Sequence, residues 1–318
     1  MEAIHTLLKT DLKVGRLKNF YRGKVRDLYH LDNNLLIMVA TDRVSAFDTV
    51  MEFGIPFKGQ VLNQLSTQMI KTIKGEVPNW FIDCPDPNVS VGKYCTPIPI
   101  EMVIRRYLVG HIFRLYSTGE RKICGIDLPD GLKQYDRLES PIITPTTKSH
   151  SGHDLDISKG EILSRRLVSS TEYEVMENYT YKLFDIGTST AEKRGLVLMD
   201  TKYEFGKDDD GQIVLIDEVH TADSSRYIHN HGYEKRHQNP KHVKHLSKEF
   251  FRQWLMSEGF QGKEGQILPV IGHEVQNQLS MRYIELFEML TDQQFVIGDL
   301  NEIHNRIQKN VESFLNLH

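Results

Sequence analysis

GLVLMDTKYEFGKDDDGQIVLIDEVHTADSSRY, residues 195–227, reads as a β-hairpin that carries chemistry on one face. Leu196 to Phe205 interleaves aliphatic, aromatic and β-branched residues with charge, the mark of a strand. Lys207-Asp208-Asp209-Asp210-Gly211 supplies a turn, and Ile213 to Val219 a second strand. Alternate side chains share a face, so Asp200, Lys202 and Glu204 fall together. A four-residue loop, Asp209 to Gln212, would set Glu204 opposite Asp217. Two facing carboxylates repel unless a positive charge lies between them. Mg²⁺ held by one or two carboxylates and by substrate phosphates would serve. The alternative is a solvated hairpin face, but LVLMD and IVLIDEV are too apolar around their acids for that.

Composition narrows the class. The chain has 318 residues, room for one large or two to three small domains with a sizeable core. Hydrophobic content of 39% with 26% charged residues suits a soluble globular protein. No apolar run reaches membrane-spanning length, and MEAIHTLLKTDLKVG lacks the unbroken apolar core of a signal peptide. A net charge of −4 gives no basic field for nucleic acid. Cys84, Cys95 and Cys124 form no CxxC pair and read as reduced thiols of a cytoplasmic protein. His229, His231, His237, His242 and His245 lie in a polar Asn- and Lys-rich segment without fixed ligand spacing, so they read as loop residues.

Upstream, Val25 to Tyr29 and Leu35 to Ala40 predict two strands about a turn at Asp32-Asn33-Asn34. Tyr21-Arg22-Gly23-Lys24 is neither a Walker A loop nor a GxGxxG, but one glycine beside Lys24 and Arg26 can fold a short cationic loop over phosphates. Thr41 to Asp48, with Asp42, Arg43 and Ser45, follows an apolar strand end, where ligand loops gather. Gln60 to Lys74 has helical spacing, and Pro78 to Pro99, with five prolines, reads as irregular connection. Pro99 to His111 predicts a strand carrying Arg105 and Arg106, of which one serves a site because neighbours face opposite ways. Pro141 to Ser158 is a long polar loop with Lys148, His153 and Asp154. Ser158 with Glu161 and Thr171 with Glu174 are capping boxes, each opening a helix, the second running to about Arg194. After Tyr227 helices take over at 247–258, 273–290 and 299–315 and form a bundle on the sheet core. These features divide the chain into an N-terminal sheet lobe, 1–100, a central α+β lobe, 101–240, and a C-terminal helical region, 241–318.

Seven motifs stand in one order: GKVRD from Gly23, TDRVSAFD from Thr41, KGQVLNQLS from Lys58, IEMVIRRYLVG from Ile100, TPTTKSxxGHDxxIS from Thr144, LVLMDTKYEFG from Leu196 and LIDEVHTxDSSRY from Leu215. Together they resemble the SAICAR synthetase family over essentially the whole chain. The resemblance implies an α+β, ATP-grasp-like two-lobed fold with antiparallel sheets and a C-terminal helical part. It implies an ATP-dependent ligase that joins carboxyaminoimidazole ribonucleotide (CAIR) to L-aspartate in purine biosynthesis, through an acyl phosphate and with Mg²⁺. On this resemblance Lys24 and Arg26 would hold ATP phosphates, and Glu101 and Met102 would lie at the adenine-binding hinge. Glu204 and Asp217 would bind the metal, with Asp200 and Lys202 beside the reacting groups. Arg105, His111, Arg226, Asp42 and Ser45 would hold CAIR, and Lys148, His153 and Asp154 would lie near the aspartate. Three positions depart from the family pattern: His111 where serine is usual, Ala222 where proline is usual, and Ser149-His150 where Ala-Glu is usual. A ligase using another carboxylate or amine is the nearest alternative reading. A non-catalytic nucleotide-binding protein would not need Asp200, Lys202, Glu204 and Asp217 together, and a kinase-like transferase would need HRD and DFG motifs that this chain lacks.

Overall fold

The computed structural model describes residues 5–148, 155–235 and 243–317. The N-terminal elements are β1 (Leu17–Arg22), β2 (Arg26–Leu31), β3 (Leu35–Ala40), β4 (Arg43–Ala46), β5 (Thr49–Gly54), α1 (Lys58–Thr72), β6 (Phe81–Asp86) and β7 (Val89–Lys93). Five of the strands form an antiparallel sheet in the order β1-β2-β3-β7-β6, and β4-β5 is a separate hairpin. The two expected strands are β2 and β3, turning at Asn34 with φ 59°. The proline-rich stretch 78–99 is not irregular: it contains β6, β7 and the start of the next strand. Pro85 is accommodated because β6 is an edge strand, where a missing N–H costs no ladder bond.

The central elements are β8 (Thr96–Tyr107), α2 (Gly110–Ser117), β9 (Lys122–Ile123), β10 (Ile126–Asp127), β11 (Arg137–Ile143), β12 (Thr146–Thr147), α3 (Lys159–Ser164), α4 (Ser170–Lys193), β13 (Leu196–Lys207), β14 (Ile213–Ile216), β15 (Ser225–His229) and α5 (Asn230–Glu234). Their main sheet runs β11-β8-β13-β14, with β12 on β8 and β15 on β13. The predicted capping box at Ser158 and Glu161 opens α3. The second box is Ser169 with Glu172, two residues before the predicted pair, because Ser169 has the extended backbone that a cap needs. Helix α4 buries Tyr173, Met176, Thr180, Leu183, Phe184, Gly187 and Ala191, a stripe at helical spacing laid on β13. Gly187 has no substitute there, since a Cβ would sit 2.5 Å from Nε2 of the buried His220.

Three helices follow: α6 (Glu249–Ser257), α7 (His273–Thr291) and α8 (Ile303–Leu317). The chain forms two compact units, one of Met1–Lys71, Trp80–Tyr94 and Phe250–His318, the other of Thr72–Asn79 and Cys95–Glu249. This redraws the boundaries at 100 and 240. The C-terminal helices are not a third region, because α8 closes the N-terminal sheet. Its stripe Ile303, Ile307, Val311 and Phe314 joins Leu7, Leu12, Tyr29, Leu31, Ile37, Val39, Val89 and Val91 in one core. A polar clasp reinforces that docking: Arg306 grips the buried Asp86 through Nε at 2.9 Å and Nη2 at 3.2 Å, and Asn310 donates to the same carboxylate at 2.8 Å.

Candidate functional site

Strand β13 is the axis of the site. It lies between β8 on one edge and β14 and β15 on the other. The predicted face, Asp200-Lys202-Glu204, is present as a ladder of alternating charge. The predicted register is not. Glu204 pairs with Ile216, one residue short of Asp217. The turn closes on Asp208 and Gln212: the Asp208 N–H donates to the Gln212 oxygen at 3.1 Å and Oδ1 of Asp208 accepts the Gln212 N–H at 2.8 Å, which leaves Asp209, Asp210 and Gly211 as the loop in place of the expected four residues. Asp217 then falls just past β14, with φ 62°, a conformation Asp tolerates and one that ends the strand.

The carboxylate that does face Glu204 comes from the other neighbour. Glu101 of β8 is its cross-strand partner. Lys202 lies between them, with Nζ 2.6 Å from Glu101 Oε1 and 2.8 Å from Glu204 Oε1. Lys148 reaches the other oxygen of Glu204, and Thr146 donates to Glu101 Oε2 at 3.3 Å. Burial would lower the pKa of Lys202, but Glu204, Glu101 and Asp217 outweigh it and hold the ammonium well above its ordinary value. Lys148 is raised in the same way: burial opposes, and Glu204 and Asp217 prevail. Burial pushes Glu204 up, yet Lys202 and Lys148 pull it far below the usual carboxylate range. Asp217 is therefore electrically part of the cluster. The lysines are the solvent-facing members, with side chains 32% exposed at Lys202 and 44% at Lys148, against 8% for Glu204, so an incoming anion meets ammonium groups first. Among the described residues no group of three or more His, Cys, Asp or Glu is arranged to hold a metal by itself.

Two residues along β13, the charges reverse. Asp200 Oδ2 accepts from Nη1 of Arg105 at 2.9 Å and from Nη1 of Arg226 at 2.6 Å. Arg105 is fixed further by Thr144 Oγ1 at 2.8 Å, and Arg226 by Glu249 at 3.0 Å. As the alternation required, Arg105 serves this face, while Arg106 bonds the backbone oxygen of Glu139. Arg226 also packs on Gly110, the first residue of α2, where a Cβ would lie 2.2 Å from Nη2. A cleft of about 650 Å³ beside Arg106, Arg137, Asp185 and Tyr233 contains none of the predicted site residues.

Other predicted residues are placed differently. Met102 is a wholly buried residue of β8, and the Glu101 side chain belongs to the lysine cluster. Asp42 is 2% exposed and closes the N-terminal unit, accepting the N–H groups of Leu7 at 2.7 Å and Gly59 at 2.8 Å; burial outweighs those bonds and raises its pKa to about 6. Ser45 lies half-buried in the β4–β5 hairpin opposite Val50. His111 Nε2 lies 2.9 Å from Asp156, so its partner in the protein is a carboxylate. Lys24 pairs with Asp48, and Arg26 opens β2. The backbone of the Gly23–Lys24 turn is shaped by Arg43, which bonds the oxygens of Gly23 at 3.0 Å and Lys24 at 3.2 Å and the Asp27 carboxylate at 2.8 Å. His153 and Asp154 lie outside the described residues. The partners that sequence reasoning missed, Glu101 as a lysine ligand, Thr144, Asp156 and Glu249, are joined to the site by strand pairing or chain return rather than by spacing.

Comparison with known proteins shows the family. The family model for SAICAR synthetase matches residues 19–267. The phosphoribosylaminoimidazole-succinocarboxamide synthase of Flavobacterium psychrophilum is 51% identical over 313 residues, 98% of this chain and 99% of that one. A solved SAICAR synthase from Saccharomyces cerevisiae, complexed with SAICAR, superposes with a TM-score of 0.76 at 30% identity, covering 92% of this chain and all of that one. A SAICAR synthetase in complex with ADP, 24% identical, shares the fold with a TM-score of 0.68. With α+β units built on antiparallel sheets and matches spanning nearly its whole length, the chain belongs to the SAICAR synthetase family.

Proposed function

We propose that the protein ligates L-aspartate to the carboxylate of CAIR with hydrolysis of ATP to ADP and phosphate, giving SAICAR. The observation that carries this reading is the placement of Lys202 between Glu101 and Glu204 with Lys148 alongside. A carboxylate is a poor electrophile. Its oxygen takes the γ-phosphoryl group of ATP as the β–γ bridging bond breaks. The aspartate amine then attacks the carbonyl carbon, phosphate leaves and the amine gives up a proton. Both steps crowd anions, so fixed cations are worth more than a protein nucleophile. Lys202 and Lys148, held protonated by their carboxylates, would stabilise the negative charge of the phosphoryl and carboxylate groups. Arg226 and Arg105 would hold the ribonucleotide, chiefly its phosphate, beside the first turn of α2. Lys24 and Arg26 would bind the ATP phosphates.

Mg²⁺ would be held by Glu204 and Asp217, whose hard carboxylate oxygens suit a cation that takes one or two carboxylates plus phosphates and needs no closed protein cage, with Lys148 and Lys202 turning from Glu204 to the phosphates. Bound there, it would offset charge on the phosphates as the phosphoryl group moves. Three cysteines outside any disulfide suit a reducing, cytoplasmic setting. The test is ADP release with CAIR and aspartate against other carboxylates and amines; no aspartate-dependent turnover with CAIR would refute the assignment. For the metal, Mn²⁺ titration by electron paramagnetic resonance in the presence of ATP should show a site that weakens about tenfold or more in Glu204→Gln. An unchanged affinity would move the metal elsewhere.

A further inference from the structure

We propose that Glu249 is a positioning residue for Arg226 and so sets the affinity for the ribonucleotide substrate; the proposal rests on the reading of Arg226 as a phosphate ligand given above. Three features converge on this guanidinium. Its Nη1 is taken by Asp200 at 2.6 Å and its Nε by Glu249 Oε2 at 3.0 Å. Its remaining nitrogen, Nη2, lies against Gly110, at the point where α2 begins. All the groups are enclosed: Asp200 is 2% exposed and Glu249 4%. The planar fork is thus pinned at two nitrogens, and its third is delivered to a helix start where backbone N–H groups are unused.

Asp200 alone cannot do this. Both guanidiniums bond the same oxygen, Oδ2, so Asp200 fixes where Arg226 is anchored but not how the fork is turned. With Glu249 removed, the fork is free to swing onto both oxygens of Asp200, the bidentate geometry that arginine and carboxylate favour. That swing would draw Nη2 away from Gly110 and tie the cation up. Glu249 also supplies the second negative charge of a buried group that otherwise holds two guanidiniums on one carboxylate.

The experiment compares Glu249→Gln, which keeps an oxygen acceptor, with Glu249→Leu, which keeps the volume but not the acceptor. Arg226→Ala is the reference. KM for CAIR, KM for ATP, kcat and Tm are measured for each. Glu249→Leu should raise KM for CAIR by ~10–100-fold, the worth of one hydrogen bond to a charged group, and leave KM for ATP within about twofold. Glu249→Gln should recover most of that loss. Equal increases in both KM values together with a fall in Tm would mark a merely structural role and overturn the proposal. So would an unchanged KM for CAIR in Glu249→Leu while Arg226→Ala raises it. If Arg226→Ala itself leaves KM for CAIR unchanged, the reading of Arg226 fails first and takes the proposal with it.

Discussion

Lys202 is the residue on which most of the site's electrostatics turns. It bridges two carboxylates that strand pairing sets directly opposite each other. Lys202→Met should lower kcat by ~10²–10³-fold, the usual cost of removing one preorganised charge from a reacting centre. It should also leave a distinctive stability profile. Glu204 would lose one of the two cations that hold its carboxylate below the usual range and would face Glu101 uncompensated, so the folded state would give up its protons less readily than in the wild type. The variant should therefore be destabilised at neutral pH and recover as pH falls through the carboxylate range, by denaturant titration at several pH values. A pH-independent loss would mean that the lysine acts through packing alone. At this scale the sequence was a good guide to which charged residues gather. Asp200, Lys202, Glu204, Arg105, Arg226 and Lys148 all meet around β13, as their alternation and motif order suggested. It was a poor guide to partners. Glu101 faces Glu204 only because β8 lies beside β13, and Glu249 reaches Arg226 only because the chain returns to it. The partners of Asp42, the N–H groups of Leu7 and Gly59, were not legible either, because its surroundings and not its residue type decide them.

Among the elements, the hairpin shows how a turn sets a register. The strands β13 and β14 were legible from composition, but the closure of the turn on Asp208 and Gln212, through both backbone and side chain, is a local geometry that counting residues does not reveal. The stretch 78–99 was misread for a related reason. Proline is tolerated where its N–H would have no ladder partner: Pro85 lies on the edge strand β6, and Pro97 and Pro99 precede the residues of β8 that β12 pairs with, and such places are assigned only once the sheet is assembled. Helix α8, by contrast, was legible as a stripe; its destination was not. Its hold on the N-terminal sheet depends on the Arg306–Asp86 pair, with Asp86 fully enclosed and Arg306 15% exposed. Asp86→Ala should cost about 3–5 kcal/mol, because it strands a largely buried guanidinium rather than merely deleting a contact. Denaturant unfolding monitored alongside proteolysis of the C-terminal helix would check it, and a loss below about 1 kcal/mol would show that the apolar stripe alone docks the helix.

On the scale of the whole molecule, acid stability combines opposed contributions. His220 is fully buried against Tyr203, 2.7 Å from its hydroxyl, and burial lowers its pKa to about 4, with a backbone bond to Leu183 opposing. Its folded value lies below the unfolded one of 6.5, so the unfolded state takes the proton first and stability falls as pH drops from 6.5 towards 4. Asp42 works the other way. With a folded value of about 6 against 3.8, it favours the folded state as pH falls through the same range. Wild type and His220→Gln should therefore diverge: between pH 7 and 4 the wild type should lose about 3 kcal/mol that the variant does not, by chemical denaturation across that range. Parallel curves would show that His220 does not titrate on unfolding. The two-unit organisation has a further consequence, which concerns synthesis rather than stability. The N-terminal sheet is translated before the second unit, yet the helix that covers its apolar face follows that unit in the chain. The nascent sheet must wait, uncovered, until α8 has been made, while the nearly continuous second unit can fold in transit. A product stalled or truncated before α8 would thus expose an aggregation-prone surface, and the arrival of α8 becomes the quality signal of the whole unit.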